Sequence, residues 1–367
     1  MSKIIYFVAG ARPNFMKVAP LISEMKKAKL EFRLIHTGQH YDYNMSKIFF
    51  ESLGIPEPDY HLDAGSGTHA VQTAKIMIEF EKLLIKEKPI LVVVVGDVNS
   101  TIACALVAKK LFIDVAHVEA GLRSFDRNMP EEINRVLTDQ ISDLLFITEK
   151  SAEVNLKREG VDLNKIFFVG NVMIDTLINN IEKSKNLDIY KNYNIKIKSY
   201  ALVTIHRPSN VDNKEDLLKI VEILTYISHK IKVIFPIHPR TKKNLIKYGL
   251  LNRLDQEKVI LIDPVGYLDF LNLMYNAKFI ITDSGGIQEE ASYLKIPILT
   301  MRKNTERPIT IEKGTNTIVG NNLEKIKKNI EDIFSNSYKK GQEIEKWDGF
   351  AAKRIIEIIK KKYFDNK

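Results

Sequence analysis

Residues 4–17 read IIYFVAGARPNFMK, and this stretch decides the fold. The apolar run Ile4–Ala9 is short and rich in β-branched and aromatic side chains, as a buried strand is. Gly10 permits a tight turn, Pro13 suits the first helical position, and an amphipathic helix follows over Phe15–Lys27. Strand, Gly turn and helix in that order open a parallel α/β sheet. Lys3 before the apolar run, with Ala9-Gly10-Ala11 as a small-residue site, imitates a secretory leader. The brevity of the run and the helix directly behind it favour the strand.

Working outward, the same alternation recurs. Strands are expected near Phe32–Thr37, Ile90–Gly96, Val115–Val118, Leu144–Thr148 and Ile166–Val169, with helices over Asn44–Leu53, Thr68–Lys86, Ser100–Lys110 and Pro130–Ser142. The Lys- and Asn-rich segment Glu182–Lys198 reads as a surface connection or hinge. A second series then places strands near Tyr200–His206, Ile231–Ile237, Val259–Asp263, Phe279–Thr282, Ile296–Thr300 and Thr317–Val319. The expected fold class is therefore α/β, with two Rossmann-like doubly wound domains facing a cleft. Residues 1–170 form an N-terminal domain carrying carboxylates, residues 171–350 a C-terminal domain, and residues 351–367 a helix that packs back on the N-terminal domain.

The 367 residues suit about two domains, and 45% apolar with 28% charged residues describes an ordinary globular protein rather than a disordered or fibrous one. Cys104 is the only cysteine, which excludes an intramolecular disulfide and a Cys-ligated zinc site and suits a reducing cytoplasm. Apolar runs such as Ile90–Val95 fall far short of the about 20 residues of a membrane span. The net charge of +9 raises nucleic acid as a partner. Lysine dominates that charge and is scattered among Glu, Ile and Asn, with no RNP motif, zinc finger or basic stripe, so no nucleic-acid partner is expected. The excess suits attraction of a small, highly charged anion.

At the turn Gly10–Asn14, exposed backbone N–H groups favour an anion, and Arg12 can add a bidentate phosphate contact. The turn is neither the Gly-x-Gly-x-x-Gly fingerprint nor a P-loop. Asp97 ends one of the most apolar runs, Glu119 ends the next strand after His117, and Glu131 and Glu132 open the following helix behind Pro130. In a doubly wound sheet the topology pushes such side chains into the ligand crevice, where clustered carboxylates suit acid–base work. Each also has a structural use: Glu131 and Glu132 suit a helix N-terminus, and Asp97 can cap the helix at Ser100. In the second half, His206-Arg207 and His238 with Arg240 end adjacent strands. The run Asp283-Ser284-Gly285-Gly286-Ile287-Gln288-Glu289-Glu290 repeats strand, Gly turn and helix. Its glycines let N–H groups approach phosphate oxygens, and Ser284 adds a hydroxyl. Glu290, one to two turns on, suits a carboxylate accepting two ribose hydroxyls, and Arg307 in Thr305-Glu306-Arg307-Pro308 can reach the same anion.

These stretches together resemble one family, the non-hydrolysing UDP-N-acetylglucosamine 2-epimerases. The matching blocks are GARPNFMKVAP (10–20), TGQHYDYNM (37–45), VVGDVNST (94–101), HVEAGLRSFDRNMPEEINRVLTD (117–139), VGNVMIDTL (169–177), TIHRPSN (204–210), IDPVGYLDF (262–270) and TDSGGIQEEASYLKIPILTMRKNTERP (282–308). The resemblance implies a glycosyltransferase-B-like fold and reversible inversion of C2 of UDP-GlcNAc to UDP-ManNAc, with no metal and no cofactor. It further implies elimination of UDP to 2-acetamidoglucal and re-addition, a homodimer, and supply of ManNAc-type sugars for cell-surface polysaccharide. By motif position Asp97, Glu119, Glu131 and His206 are the implied catalytic residues. Arg12, Lys17 and His206 then contact the diphosphate, Ser284, Gly285 and Gly286 the phosphates, Glu290 the ribose, Arg307 the sugar or phosphate side, and Phe270 and Val265 the uracil. His238 completes the substrate-binding set.

The chain also departs from the family's pattern. It has GARPN where many members have GTRPE, Pro208-Ser209-Asn210 after His206-Arg207 where many have Arg-Glu-Asn, and no Arg in AGSGT (64–68), where regulated bacterial members use one for allosteric activation. Alternatives to the main reading are a 2-epimerase of UDP-2,3-diacetamido-hexuronate, a hydrolysing epimerase, a glycosyltransferase on the same fold, and a non-catalytic UDP-sugar binder.

Overall fold

The computed structural model describes residues 3–38 and 53–365. In the first unit (Met1–Asn179 with Glu345–Lys367) the apolar runs become β1 (Ile5–Ala9), β2 (Phe32–His36), β3 (Tyr60–His61), β4 (Leu91–Val95), β5 (Asp114–Ala120), β6 (Leu144–Ile147) and β7 (Ile166–Phe168). They form one sheet in the order β3-β2-β1-β4-β5-β6-β7, and every pair is parallel. Alternate residues of β1 face opposite cores. Ile5, Phe7 and Ala9 pack with Phe15, Val18 and Leu21 of the helix Arg12–Lys27 and with Ile355, Ile356 and Ile359 of the helix Ala351–Lys360. Tyr6 and Val8 pack with Ile76, Phe80 and Leu84 of the helix His69–Lys86 and with Cys104, Val107 and Ala108 of the helix Asn99–Lys110. Covered on both faces, β1, β4 and β6 are continuously apolar instead of alternating.

The second unit (Asn180–Ile344) contains β8 (Tyr200–Thr204), β9 (Lys232–Pro236), β10 (Val259–Ile262), β11 (Phe279–Thr282), β12 (Ile298–Thr300) and β13 (Asn316–Ile318). Their order, β10-β9-β8-β11-β12-β13, is again wholly parallel. Strand order reverses between β1 and β4 in one sheet and between β8 and β11 in the other, and ligands of open α/β sheets bind at such switch points.

Several details differ from the sequence expectation. β3 has two residues, too few to leave a pattern. The first helix begins at Arg12, three residues earlier than expected, because Asn14 Oδ1 accepts from Gly10 N at 3.1 Å and Ala11 N at 2.9 Å and satisfies its leading N–H groups. The expected connection 182–198 is partly ordered: the helix Val172–Lys185 covers its start, and a 3-10 turn over Ile189–Tyr193 buries Tyr190. The units divide inside that helix at Asn179/Asn180, and again at Ile344/Glu345, instead of at 170/171 and 350/351. Val172 belongs to the first unit's core, and Thr176 Oγ1 donates to Met16 O, so the helix's first half stays with the first unit. The helix expected over 44–53 lies, but for its last residue, outside the described residues.

Candidate active site

Lys17 and Glu119 meet near the ends of β4 and β5 of the first unit. Lys17, on the first helix, is buried and ion-paired with Glu119, whose side chain is 5% exposed. Its ammonium lies 2.8 Å from where a Cβ on Gly96 would stand, so Gly96 leaves it room. Glu119 is the extra residue of a bulge in β5: the register with β6 shifts between Val118 and Ala120, and its φ is +74°. Val118 faces the core beneath the first helix, whereas Ala120 faces the opposite one with Leu145 and Ile147. Glu119 absorbs the change of face. A non-glycine residue held there costs about 1–3 kcal/mol and persists only where its surroundings dictate it, commonly at functional sites.

Asp97, just past β4, receives Arg135 Nε at 3.0 Å on its carboxylate and Asn134 Nδ2 at 2.9 Å on its backbone carbonyl. The N-cap position of the helix Asn99–Lys110 is Val98, whose side chain makes no cap bond. The acids opening the helix Pro130–Ile141 divide their work. Glu132 is buried and accepts from Ser124 N, Ser124 Oγ and Phe125 N at 2.9, 2.8 and 3.0 Å while pairing with Arg135, so it fastens the preceding loop. Glu131 is half-buried. Arg12 opens the first helix, but its side chain lies outside the described residues.

In the second unit, Asp283 at the β8–β11 switch point organises the site, a role the sequence did not assign. Fully buried, it accepts from Arg207 N at 2.8 Å, His206 N at 3.0 Å and Asn210 Nδ2 at 3.0 Å. Burial pushes its carboxyl up, but the hydrogen bond and charge of His206 with these further donors outweigh that and hold it below the usual range. His206 Nδ1 lies 3.0 Å from Asp283 Oδ1 while the side chain stays 42% exposed, which turns Nε2 outward. The His238 ring lies 5.6 Å from that of His206, and its Nδ1 accepts from Arg240 N. Arg240 itself is held bidentately by Asp212.

Ser284 is the N-cap of the helix Gly285–Tyr293 and makes no side-chain cap bond. A Cβ on Gly285 would meet Arg307 Nη1 at 2.8 Å and Glu306 Oε1 at 2.9 Å, so glycine is needed for this close approach. Arg307 stands behind the turn, buried, with Nε 2.9 Å from Glu289 and Nη1 on Glu306, which also binds Arg302 at 2.7 Å. No motif in the sequence marks this cluster. Glu290 is buried and accepts from the hydroxyl of Tyr267 at 2.8 Å. Burial, reinforced by Glu289 and only partly offset by Tyr267, pushes its carboxyl up to about 8. Tyr267 opens the helix Tyr267–Asn276 that carries Phe270, just after Val265, so the candidate base and ribose contacts are tied together. Among the described residues no group of three or more His, Cys, Asp or Glu side chains could hold a metal ion.

Comparison with known proteins gives a consistent result. The model of the family described as UDP-N-acetylglucosamine 2-epimerase matches residues 23–360. A Methanocaldococcus jannaschii protein named UDP-N-acetylglucosamine 2-epimerase is 51% identical over 358 residues, 96% of this chain and 97% of its own. The crystal structure of Methanocaldococcus jannaschii UDP-GlcNAc 2-epimerase in complex with UDP-GlcNAc and UDP superposes with a TM-score of 0.90 at 49% identity, covering 98% of this chain and 99% of that one. A Pseudomonas aeruginosa UDP-2,3-diacetamido-2,3-dideoxy-D-glucuronate 2-epimerase is 44% identical over 325 residues, 86% of this chain and 88% of its own.

Proposed function

The chain belongs to the UDP-N-acetylglucosamine 2-epimerase family, a family of isomerases, and from that premise we propose that it inverts C2 of UDP-GlcNAc reversibly, without net hydrolysis, to give UDP-ManNAc. The observation that carries the reading is Glu119, held at φ +74° in the β5 bulge and paired with Lys17. A C2–H next to an acetal carbon is barely acidic, so a base alone cannot remove it. Breaking the C1–O bond supplies oxocarbenium character while the base takes the proton. The C–H electron pair becomes the C1=C2 bond of 2-acetamidoglucal, and the C1–O pair leaves with UDP. Protonation of C2 on the opposite face, with return of UDP to C1, gives the epimer.

Two-face protonation needs an acid–base group on each side of the ring. Asp97, Glu119 and Glu131 fill that role. The Lys17 ammonium offsets the cost of burying Glu119, and Arg135 aims Asp97. His206, oriented by Asp283, stabilises the departing diphosphate with Lys17 and Arg12. Ser284, Gly285 and Gly286 present the helix N-terminus to the phosphates, with Arg307 bracing that turn, and His238 stands beside His206. Glu290 takes the ribose, and Phe270 with Val265 the uracil.

The reading includes a homodimer working in the cytoplasm and feeding surface-polysaccharide synthesis. Val71, Ile78 and Ile85 support the dimer: at seven-residue spacing they form an exposed apolar stripe, 47, 54 and 71% exposed, on the helix His69–Lys86. No helix among the described residues is long and apolar enough to cross a membrane.

The test is incubation with UDP-GlcNAc in D2O followed by NMR. UDP-ManNAc carrying deuterium at C2 is expected; no deuterium there sinks the elimination route, and accumulation of free ManNAc makes the enzyme hydrolysing. The 44% identical relative makes UDP-2,3-diacetamido-glucuronate the competing substrate, and turnover of that sugar alone would move the assignment to it.

A further inference from the structure

We propose that the buried pair His117–Asp139 is a positioning device that aims both Asp97 and Glu119, an inference that rests on the acid–base roles just given to those two carboxylates. His117 sits mid-strand in β5, opposite Val94, and neither it nor Asp139 exposes any side-chain surface. Both ring nitrogens face an oxygen: Nδ1 lies 2.6 Å from Asp139 Oδ1, and Nε2 lies 2.7 Å from the carbonyl of Gly96. The other carboxylate oxygen of Asp139 accepts from Gly121 N at 3.0 Å and pairs with Arg123 at 2.7 Å. Arg123 in turn is held by Glu159.

Gly96 directly precedes Asp97, and Gly121 stands two residues after Glu119. Both glycines have left-handed backbone, at φ +69° and +76°, and Gly96 N donates to Val118 O at 3.1 Å, just before the bulge. One carboxylate therefore grips the backbone on the far side of Glu119 directly, and through the imidazole it grips the backbone on the near side of Asp97. That chain of bonds supplies the surroundings which a strained Glu119 requires. Net stability does not account for the pair, because buried ion pairs contribute little over packed apolar residues of the same volume.

The experiment compares the full chain with Asp139→Asn and His117→Gln, measuring kcat and KM for UDP-GlcNAc, the UDP dissociation constant and the melting temperature. A misplacement of about 1 Å costs on the order of 100-fold, so kcat is expected to fall by about that factor while KM and UDP affinity stay within about twofold. In an Asp97→Asn/Glu119→Gln background, which lacks both carboxylates the pair aims, Asp139→Asn is expected to add little further loss, whereas an independent structural role would multiply the losses. If a single variant loses the native melting transition, the double variant His117→Gln/Asp139→Asn, which removes the paired groups together and keeps a neutral hydrogen bond, takes its place with the same expectations. Unchanged kcat in a chain that turns over UDP-GlcNAc would overturn the inference alone, as would a kcat loss matched by lost UDP affinity. A wild-type chain inert toward every UDP-sugar would overturn the functional reading and this inference with it.

Discussion

Glu290 keeps its proton up to about pH 8, against about 4.5 for an ordinary glutamate, because burial beside Glu289 penalises the charge more than Tyr267 relieves it. Between those two values the folded chain holds a proton that the unfolded chain has released. The stability this gives is complete below 4.5 and is lost as pH rises through 8. Glu290→Gln removes the ionisation, so it is expected to flatten the fall in melting temperature between about pH 5 and pH 9; an equally steep fall in the variant would refute the assignment. A ribose diol donating to the ionised carboxylate pulls its value back down, so UDP binding near pH 7 is expected to release up to about one proton. Calorimetry in buffers of different ionisation enthalpy reads that number, and a binding heat independent of buffer would place the ribose elsewhere. The carboxylates of the first unit are expected to behave differently. Asp97→Asn and Glu119→Gln should lower kcat by about 10²–10⁴-fold while calorimetric UDP affinity persists, and loss of UDP affinity instead would make them structural residues.

Strands were the most legible elements where they are unbroken apolar runs: the ends read from Ile4–Ala9 and Phe279–Thr282 differ from β1 and β11 by at most one residue. Helix starts were less legible where the cap lies inside the helix, as Asn14 does. The β5 bulge left no local signal, since His117-Val118-Glu119-Ala120 reads as an ordinary strand and only its register against β6 reveals the inserted residue. The phosphate and ribose roles proposed for Ser284, Gly285 and Glu290 rest on spacing along one turn, which a sequence displays. Asp283 and the Arg302–Glu306–Arg307–Glu289 cluster could not be read, because their partners come from other elements. The same holds for Asp175, which no sequence pattern singled out. Its carboxylate accepts from Ala351 N at 3.2 Å and Ala352 N at 2.7 Å, so one helix of the first unit caps another that follows 176 residues later. Burial pushes this carboxyl up to about 6 even though those N–H groups favour its charge. Asp175→Ala is expected to cost about 1–2 kcal/mol, read by urea unfolding, with faster proteolysis at the C-terminal helix. An unchanged transition would mean that packing alone holds that helix.

At the scale of the whole chain, the first unit is discontinuous, closed by residues 345–367, while the second runs unbroken from Asn180 to Ile344. The closing helix contributes Ala351, Ala352, Ile355, Ile356 and Ile359 to the same core as Phe15 and Leu21. Each buried isoleucine contributes about 2 kcal/mol, so three of them rival the net stability of a typical domain, about 5–15 kcal/mol. A fragment ending at residue 179 is therefore expected to lack a cooperative thermal transition by circular dichroism, and adding residues 345–367 in trans is expected to restore one. The fragment 180–344 holds a complete core of its own, with Val203, Phe235, Ile281 and Leu299 all buried, together with Ser284, Gly285, Glu290 and Phe270. It is expected to fold alone and to bind UDP without turning over UDP-GlcNAc, since Asp97, Glu119 and Glu131 lie in the other unit. A folded 180–344 fragment with no UDP affinity would show that the nucleotide needs residues of the first unit, and it would shift weight from the Gly285 helix to Arg12 and Lys17.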